Sequence, residues 1–360
     1  MRRILVFPYH PDINTIVEHI DMVRDCSIIG FTSFKEDAGV IRIANEQLRG
    51  DDASYDHMIS ECDAVLLLDN YRSMRPDKYY QVIEDAIKLG KEILITPHAC
   101  SQLDLAAYYG HYMPLEHLPD GMDRIDNEYR FSRGMKMHSL NSPVIGVFGY
   151  GPHCEKFKTQ LLLKETLETE YNVAAVSSNA LGALFGCYTL PSFLYDNTPY
   201  QEKIVRLNYY MKLLENTVQP DVITIGVPEG IAPFQKKEFN HFAEYPLVIS
   251  SAVSIDLAIL CTYLINGEKL NTGIGELIMF CEQKFELDVG AIAIARTFFE
   301  IPLEDFSGMI YEYPGKQFLD EQYPDISSID FPVLNLRSRE QSADAIRLCL
   351  RQLQDNVRGV

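Results

Sequence analysis

The sequence has no tryptophan and is short of positive charge: 32 Lys and Arg stand against 51 Asp and Glu, a formal net charge of −19 over 360 residues. A surplus of that sign repels phosphate backbones and anionic lipid headgroups, so neither nucleic acid nor a membrane is an expected partner. A solvated acidic surface accounts for the charge by itself, with a cationic ligand as the functional alternative. Metal-ligand spacing is missing too. The eight cysteines, Cys26, Cys62, Cys100, Cys154, Cys187, Cys261, Cys281 and Cys349, stand singly, with no C-x-x-C; structural zinc and a disulfide framework are both disfavoured, and no metal is expected. Several lie in apolar runs such as Leu260-Cys261 and Phe280-Cys281, where a reduced thiol packs as a small hydrophobe, as suits a cytoplasmic protein. The opening run Met1 to Pro8 ends too early for a signal sequence. The one stretch of membrane length, Pro246 to Ile265, carries Asp256 and Ser250-Ser251 and reads as a helix end followed by a buried strand. No G-x-G-x-x-G follows the first strand, so a dinucleotide cofactor is unsupported.

What is present is an ordinary globular composition, 47% hydrophobic and 23% charged, in a chain long enough for two cores. Short apolar runs alternate with helical patterns from the start, the mark of βα units on a parallel sheet. The expected fold is α/β, an N-terminal Rossmann-like parallel sheet over residues 1–110 followed by a P-loop NTPase-like domain over 143–360. Strands are expected at Ile4 to Phe7, Ser27 to Phe31, Ala64 to Leu68 and Glu92 to Thr96, with helices near Asp12 to Val23 and Pro76 to Leu89. Residues 111–142 lose periodicity among Pro114, Pro119, Gly121 and Gly134 and read as a linker. The second series runs strand Val144 to Phe148, helix Glu155 to Thr169, strand Val173 to Ser177, helix Tyr200 to Asn216 and strand Val222 to Gly226. It continues with strands Leu257 to Tyr263 and Gly290 to Ala295, helix Gly275 to Phe285, strand Pro332 to Leu336 and helix Ser338 to Gln354.

The most informative segment is Val144 to Phe157: a buried strand, a turn containing Gly149 and Gly151, and a helix start. A phosphate loop uses this arrangement because glycines let backbone N–H groups close on phosphate oxygens while the helix dipole favours the anion. The standard G-x-x-x-x-G-K-[ST] is degenerate here, since Glu155 and Phe157 flank Lys156. Glu155 brings negative charge to the phosphate position and Phe157 cannot ligate Mg²⁺. Lys156 remains available to neutralise an anion, with Thr159 a turn later, so a nucleotide or other anion is expected to bind weakly; a Gly-rich turn kept only for its shape is the bland alternative. His153 and Cys154 form a conceivable base and nucleophile, although neighbours in one turn seldom align. Glu229 lies just past the strand Val222 to Gly226, where phosphate-loop proteins place an acid on Mg²⁺ or water. Ser177-Ser178-Asn179 ends another strand and reads mainly as turn residues. In the first domain the strand ends carry His10, Asp69-Asn70, and Thr96 to Cys100, so His10, Asp69, His98 and Cys100 are candidates to converge. The Tyr-rich segments, Tyr195 to Tyr210 and Ile310 to Tyr323, offer aromatic surface for peptide recognition or simply core.

The stretch carrying Cys154-Glu155-Lys156-Phe157, Leu184-Phe185-Gly186, Leu190-Pro191-Ser192-Phe193 and Pro220 to Ile231 resembles a family of peptide maturation system proteins. Its members are encoded beside radical-SAM maturases and the precursors of ribosomally synthesised, post-translationally modified peptides (RiPPs). The resemblance implies an accessory protein of peptide maturation that binds a precursor peptide or a radical-SAM maturase; it supplies no catalytic residues. The two-domain layout also resembles a broader group in which some members are N-acyltransferases on amino acids, which implies the alternative: an ATP-dependent or acyl-transferring enzyme acting on a peptide or amino acid.

Overall fold

A computed structural model describes residues 1–10, 12–32, 52–69, 75–122, 124–125, 136–232, 243–264, 267–300, 310–312, 314, 316–326, 329, 331–332 and 333–358. The chain divides into two compact units, Met1–His117 with Ala180–Thr189, and Leu118–Asn179 with Leu190–Val360. The first holds strands β1 (Arg2–Phe7), β2 (Cys26–Phe31), β3 (Ala64–Leu67), β4 (Glu92–Ile95) and β5 (Met113–Pro114), in the sheet order β2-β1-β3-β4-β5. All these pairings are parallel. This 2-1-3-4-5 order belongs to the doubly wound class, with its ligand crevice expected where connections leave β1 and β3 in opposite directions. Helices α1 (Ile13–Glu18), α2 (Asp52–Glu61), α3 (Pro76–Lys88) and α4 (Pro97–Gln102) connect them. In α3, Tyr79, Val82, Ile83 and Ala86 are buried, a stripe at three- and four-residue spacing that packs with Val65, Leu67, Ile93 and Ile95. Pro76 starts that helix and Gly90, at φ 65°, stops it.

The second unit repeats the logic with longer, drier strands. Its sheet holds β6 (Val144–Gly149), β7 (Val173–Ser177), β9 (Val222–Gly226), β10 (Leu257–Thr262), β11 (Val289–Ile294) and β14 (Val333–Asn335), while β8 (Tyr188–Thr189) belongs to the first unit. Their order is β14-β11-β10-β6-β9-β7. The first strand of the unit is central and the third, not the second, lies beside it, unlike the 3-2-1-4-5-6 order of dinucleotide folds. Every residue of β6, β9, β10 and β11 is buried, as expected of a parallel sheet covered on both faces. Helices α5 (Lys156–Leu167), α6 (Tyr200–Val218), α7 (Glu244–Ala252), α8 (Gly267–Phe285), α9 (Lys316–Gln322) and α10 (Arg339–Arg358) accompany a small antiparallel ribbon, β12 (Phe298–Glu300) with β13 (Ile310–Glu312).

The expected α/β architecture stands, and several boundaries differ. Met113–Pro114, inside the stretch read as linker, pairs with β4. The described part of the stretch from Pro246 holds most of α7 and then buried β10, and no described helix is long and apolar enough to cross a membrane. Helix α8 begins eight residues before the expected Gly275 and runs through Gly273 and Gly275, where an added Cβ would meet nothing within 4 Å. Their cost there is entropic, too small to break the helix. Helix α1 is shorter than expected and gives way to a 3₁₀ turn at Ile20–Met22.

Candidate functional site

The site is built where β6 and β9 end side by side. Strand β6 finishes on Gly149, where an added Cβ would lie 2.5 Å from Cys154 Sγ and 2.7 Å from Lys156 Cδ. Only glycine admits so tight a turn. His153 (φ 56°) and Glu155 (φ 54°) then take left-handed backbone conformations, the second at the position where a phosphate loop has glycine. Holding a side-chain-bearing residue there costs about 1–2 kcal/mol. A left-handed backbone is therefore kept at that position although the glycine is not. Helix α5 starts at once on Lys156, so the open N–H groups of its first turn border the loop.

Lys156 folds back over the turn. Its Nζ donates to the Gly151 carbonyl at 3.1 Å and also to the Glu229 carbonyl, joining the loops that follow β6 and β9. Those loops touch through backbone: a Cβ on Gly230 would fall 2.3 Å from Gly151 Cα and 2.6 Å from the Tyr150 carbonyl oxygen. Ile231 N–H donates to Gly149 and Ala232 N–H to Tyr150. Tyr150 N–H donates to the Cys261 carbonyl of β10, and Tyr263, the residue after that strand, donates from Oη to the Pro152 carbonyl at 2.6 Å.

Glu155 does not stand as an unanswered charge in the loop. Its carboxylate accepts Arg296 backbone N–H at 2.6 Å and the guanidinium Nε at 2.9 Å, with the second guanidinium contact at Nη2. Burial pushes this carboxyl upward, and the Arg296 charge with its hydrogen bonds, helped by Lys158, brings it below its ordinary value. The expectation that Glu155 opposes an anion is thus corrected: Arg296, immediately past β11, compensates it.

Phosphoryl-transfer parts do not assemble in the same way. Phe157 is buried. Thr159 is fully buried; its hydroxyl donates to the Glu155 carbonyl and accepts from Cys261 Sγ. Cys154 is fully buried, its thiol donates to the Gly151 carbonyl at 3.0 Å, and burial raises its pKa against the opposing pull of Lys156. His153 meets the Tyr311 ring, centroids 4.7 Å apart. A thiol so placed lacks the thiolate character a nucleophile needs. Among the described residues no group of three or more His, Cys, Asp and Glu could hold a metal ion. Ser177 Oγ accepts from Asn179 N–H in a local turn, as a loop former does.

Glu229 is the third residue of this crevice in the left-handed region, φ 54°. Its carbonyl is taken by Lys156, while its half-buried carboxylate has no hydrogen-bond or ion-pair partner among the described residues. It lies close enough to Tyr245 that, after burial, its charge helps push that phenol up to about 12. Local sequence pattern does not single out Arg296, Tyr263, Tyr195 or Tyr245. The position of Arg296 just beyond a buried strand was the signal available for it.

The first-domain candidates take separate partners. Asp69 accepts from Thr96 Oγ1 at 3.3 Å, and His10 Nδ1 accepts from Asp12 N–H at 3.2 Å. His98 meets Gln102 on the exposed side of α4, and Cys100 interacts with Tyr112. Thr96 and Asp69 thus meet at adjacent strand ends; Asn70 lies outside the described residues.

No family model and no curated protein matches the chain. Among solved structures it is similar to a DUF1611 family protein from Anabaena variabilis, with a TM-score of 0.54 and 11% identity over 97% of this chain and 100% of that one. The likeness concerns the fold of both units, and at that identity it carries nothing further.

Proposed function

We propose that the second unit binds the phosphate or other acidic group of a small ligand at the Gly149–Phe157 turn, without hydrolysing it, and that the protein serves as an accessory of peptide maturation. The observation that carries the binding reading is the placement of Lys156: a cation at the start of a buried helix, folded over a turn in which His153 and Glu155 take left-handed backbone conformations. An anion entering there meets the helix N-terminus and displaces the ammonium from two neutral carbonyls only. Arg296 supports the same reading by neutralising Glu155. Phe157 in place of the hydroxyl residue and the buried, internally bonded Thr159 favour binding over Mg²⁺-dependent turnover.

The role in maturation rests on the sequence resemblance through Cys154-Glu155-Lys156-Phe157 and Pro220 to Ile231, and the acidic surface is compatible with a basic precursor segment. Two experiments address the two parts. Mg·ATP turnover should stay at background, with ATP binding weaker than about 1 μM; Lys156-dependent hydrolysis would instead establish the enzyme alternative. A pull-down should recover the precursor peptide or the maturase encoded beside this gene, and recovery of neither would remove the accessory role.

A further inference from the structure

The turn that carries Lys156 has a second cation beside it, Arg296, and the chain itself already occupies that one. Both oxygens of the Glu155 carboxylate are held by this single residue: one accepts the Arg296 backbone N–H at 2.6 Å, the other the guanidinium Nε at 2.9 Å together with Nη2. A guanidinium edge and a main-chain N–H closing on two oxygens is the way an acid ligand would be gripped, so Glu155 fills a place an anion could take. The pair is shielded, the carboxylate side chain being 10% exposed and the guanidinium 22%. It is held in place at a conformational cost, since Glu155 stands at φ 54° immediately before α5, where glycine would be unstrained. Lys156 is bound differently. It donates to the neutral carbonyls of Gly151 and Glu229, which do not cancel its charge. Taken together, Glu155, Lys156 and Arg296 leave the turn with the single positive charge of Lys156.

We propose that Glu155 is a charge filter: by holding Arg296 it fits the anion site to a singly charged acid group, a carboxylate or a phosphodiester, so that a more highly charged phosphate gains nothing from its extra charge. The inference rests on the anion-binding reading and adds the charge of the ligand to it. A monoanion on Lys156 leaves the occupied turn neutral. A dianion leaves a surplus negative charge in a partly buried place, where charge without a partner is unfavourable. Glycine at position 155, as the standard phosphate loop has before its lysine, would release Arg296 to meet that second charge.

The test uses the full chain as wild type, Glu155→Gly, Glu155→Gln and the double variant Glu155→Gly with Arg296→Met, each checked for folding by circular dichroism. Propionate, dimethyl phosphate and methyl phosphate are titrated calorimetrically at about pH 8, where a phosphate monoester carries two charges. Wild type should bind methyl phosphate no more tightly than dimethyl phosphate, and the tighter of the two monoanions tells carboxylate from diester. Glu155→Gly and Glu155→Gln should each bind methyl phosphate at least tenfold more tightly than wild type, the scale of one added charge-assisted contact. The double variant should lose that gain. Methyl phosphate bound tenfold more tightly than dimethyl phosphate by wild type, or a gain that survives Arg296→Met, overturns the filter and leaves the anion reading standing. If wild type binds none of the probes while Glu155→Gly binds methyl phosphate through Arg296, the anion reading of the native turn falls and the control exerted by Glu155 stands. No binding by any of the four proteins ends both.

Discussion

At Gly230 there is no room for a methyl group, and the obstruction is the backbone of the neighbouring loop. An added Cβ would meet Gly151 Cα at 2.3 Å and Gly151 N at 2.7 Å, whereas at Gly149 the nearest atoms are the side chains of Cys154 and Lys156. Side chains yield more cheaply than two hydrogen-bonded loops. Gly149→Ala should therefore destabilise by about 1–3 kcal/mol and Gly230→Ala by more, both read by chemical denaturation. A second residue-scale consequence concerns Glu155 and Arg296. Because the folded-state pKa of Glu155 lies below the ordinary value of 4.5, the pair contributes stability fully above that pH and loses it as pH falls through the lowered value. Arg296→Ala should cost about 3 kcal/mol near neutral pH by leaving the carboxylate buried alone, and should flatten the loss of stability between neutral and acid pH. An unchanged acid limb would mean that the pair carries no linkage.

At the scale of elements, the strand β6, its glycine turn and the start of α5 were legible because all three rest on local signals: an apolar run, two glycines, and a helical pattern. The strand ends and Glu229 followed from the same reading. What completed the site came from distant positions. Arg296 is 141 residues from Glu155 and Tyr263 is 111 from Pro152, so sequence showed Glu155 as a defect in the motif and could not show its partner. Strand order was likewise invisible to periodicity, and it is the order β10-β6-β9 that sets these turns together. The left-handed backbone at Glu155 and Glu229 is likewise invisible in sequence, since glutamate is not a type enriched at positive φ. Tyr263→Phe removes the hydrogen bond to the Pro152 carbonyl from the residue after β10, and a loss of about 1 kcal/mol in urea denaturation is expected. Burial makes a further distinction among elements: seven of the eight thiols are buried and Cys100 is half-buried. A thiol reagent should modify one cysteine rapidly in the native protein, and the rest, Cys154 included, only on unfolding; prompt labelling of Cys154 would contradict its packed position in the turn.

On the scale of the whole molecule, two α/β units and a net charge of −19 set what the protein can meet. Long-range repulsion slows the approach of any polyanion, so the anion site is expected to take small ligands whose affinity comes from contacts inside the turn. A macromolecular partner should carry basic segments, and its capture should weaken as salt rises through the range where the Debye length shortens from about 10 Å. The acidic surface and the cationic turn are then complementary rather than contradictory, because the single ammonium of Lys156 is held inside, against Gly151 and Glu229. The central claim is that this ammonium makes the turn an anion site. Its most direct test is calorimetric titration of pyrophosphate into the full chain and into Lys156→Met at low salt. The account predicts one site in the wild type, weaker than about 1 μM, and at least a tenfold loss in the variant; equal affinities in the two proteins, or no binding to either, would contradict it.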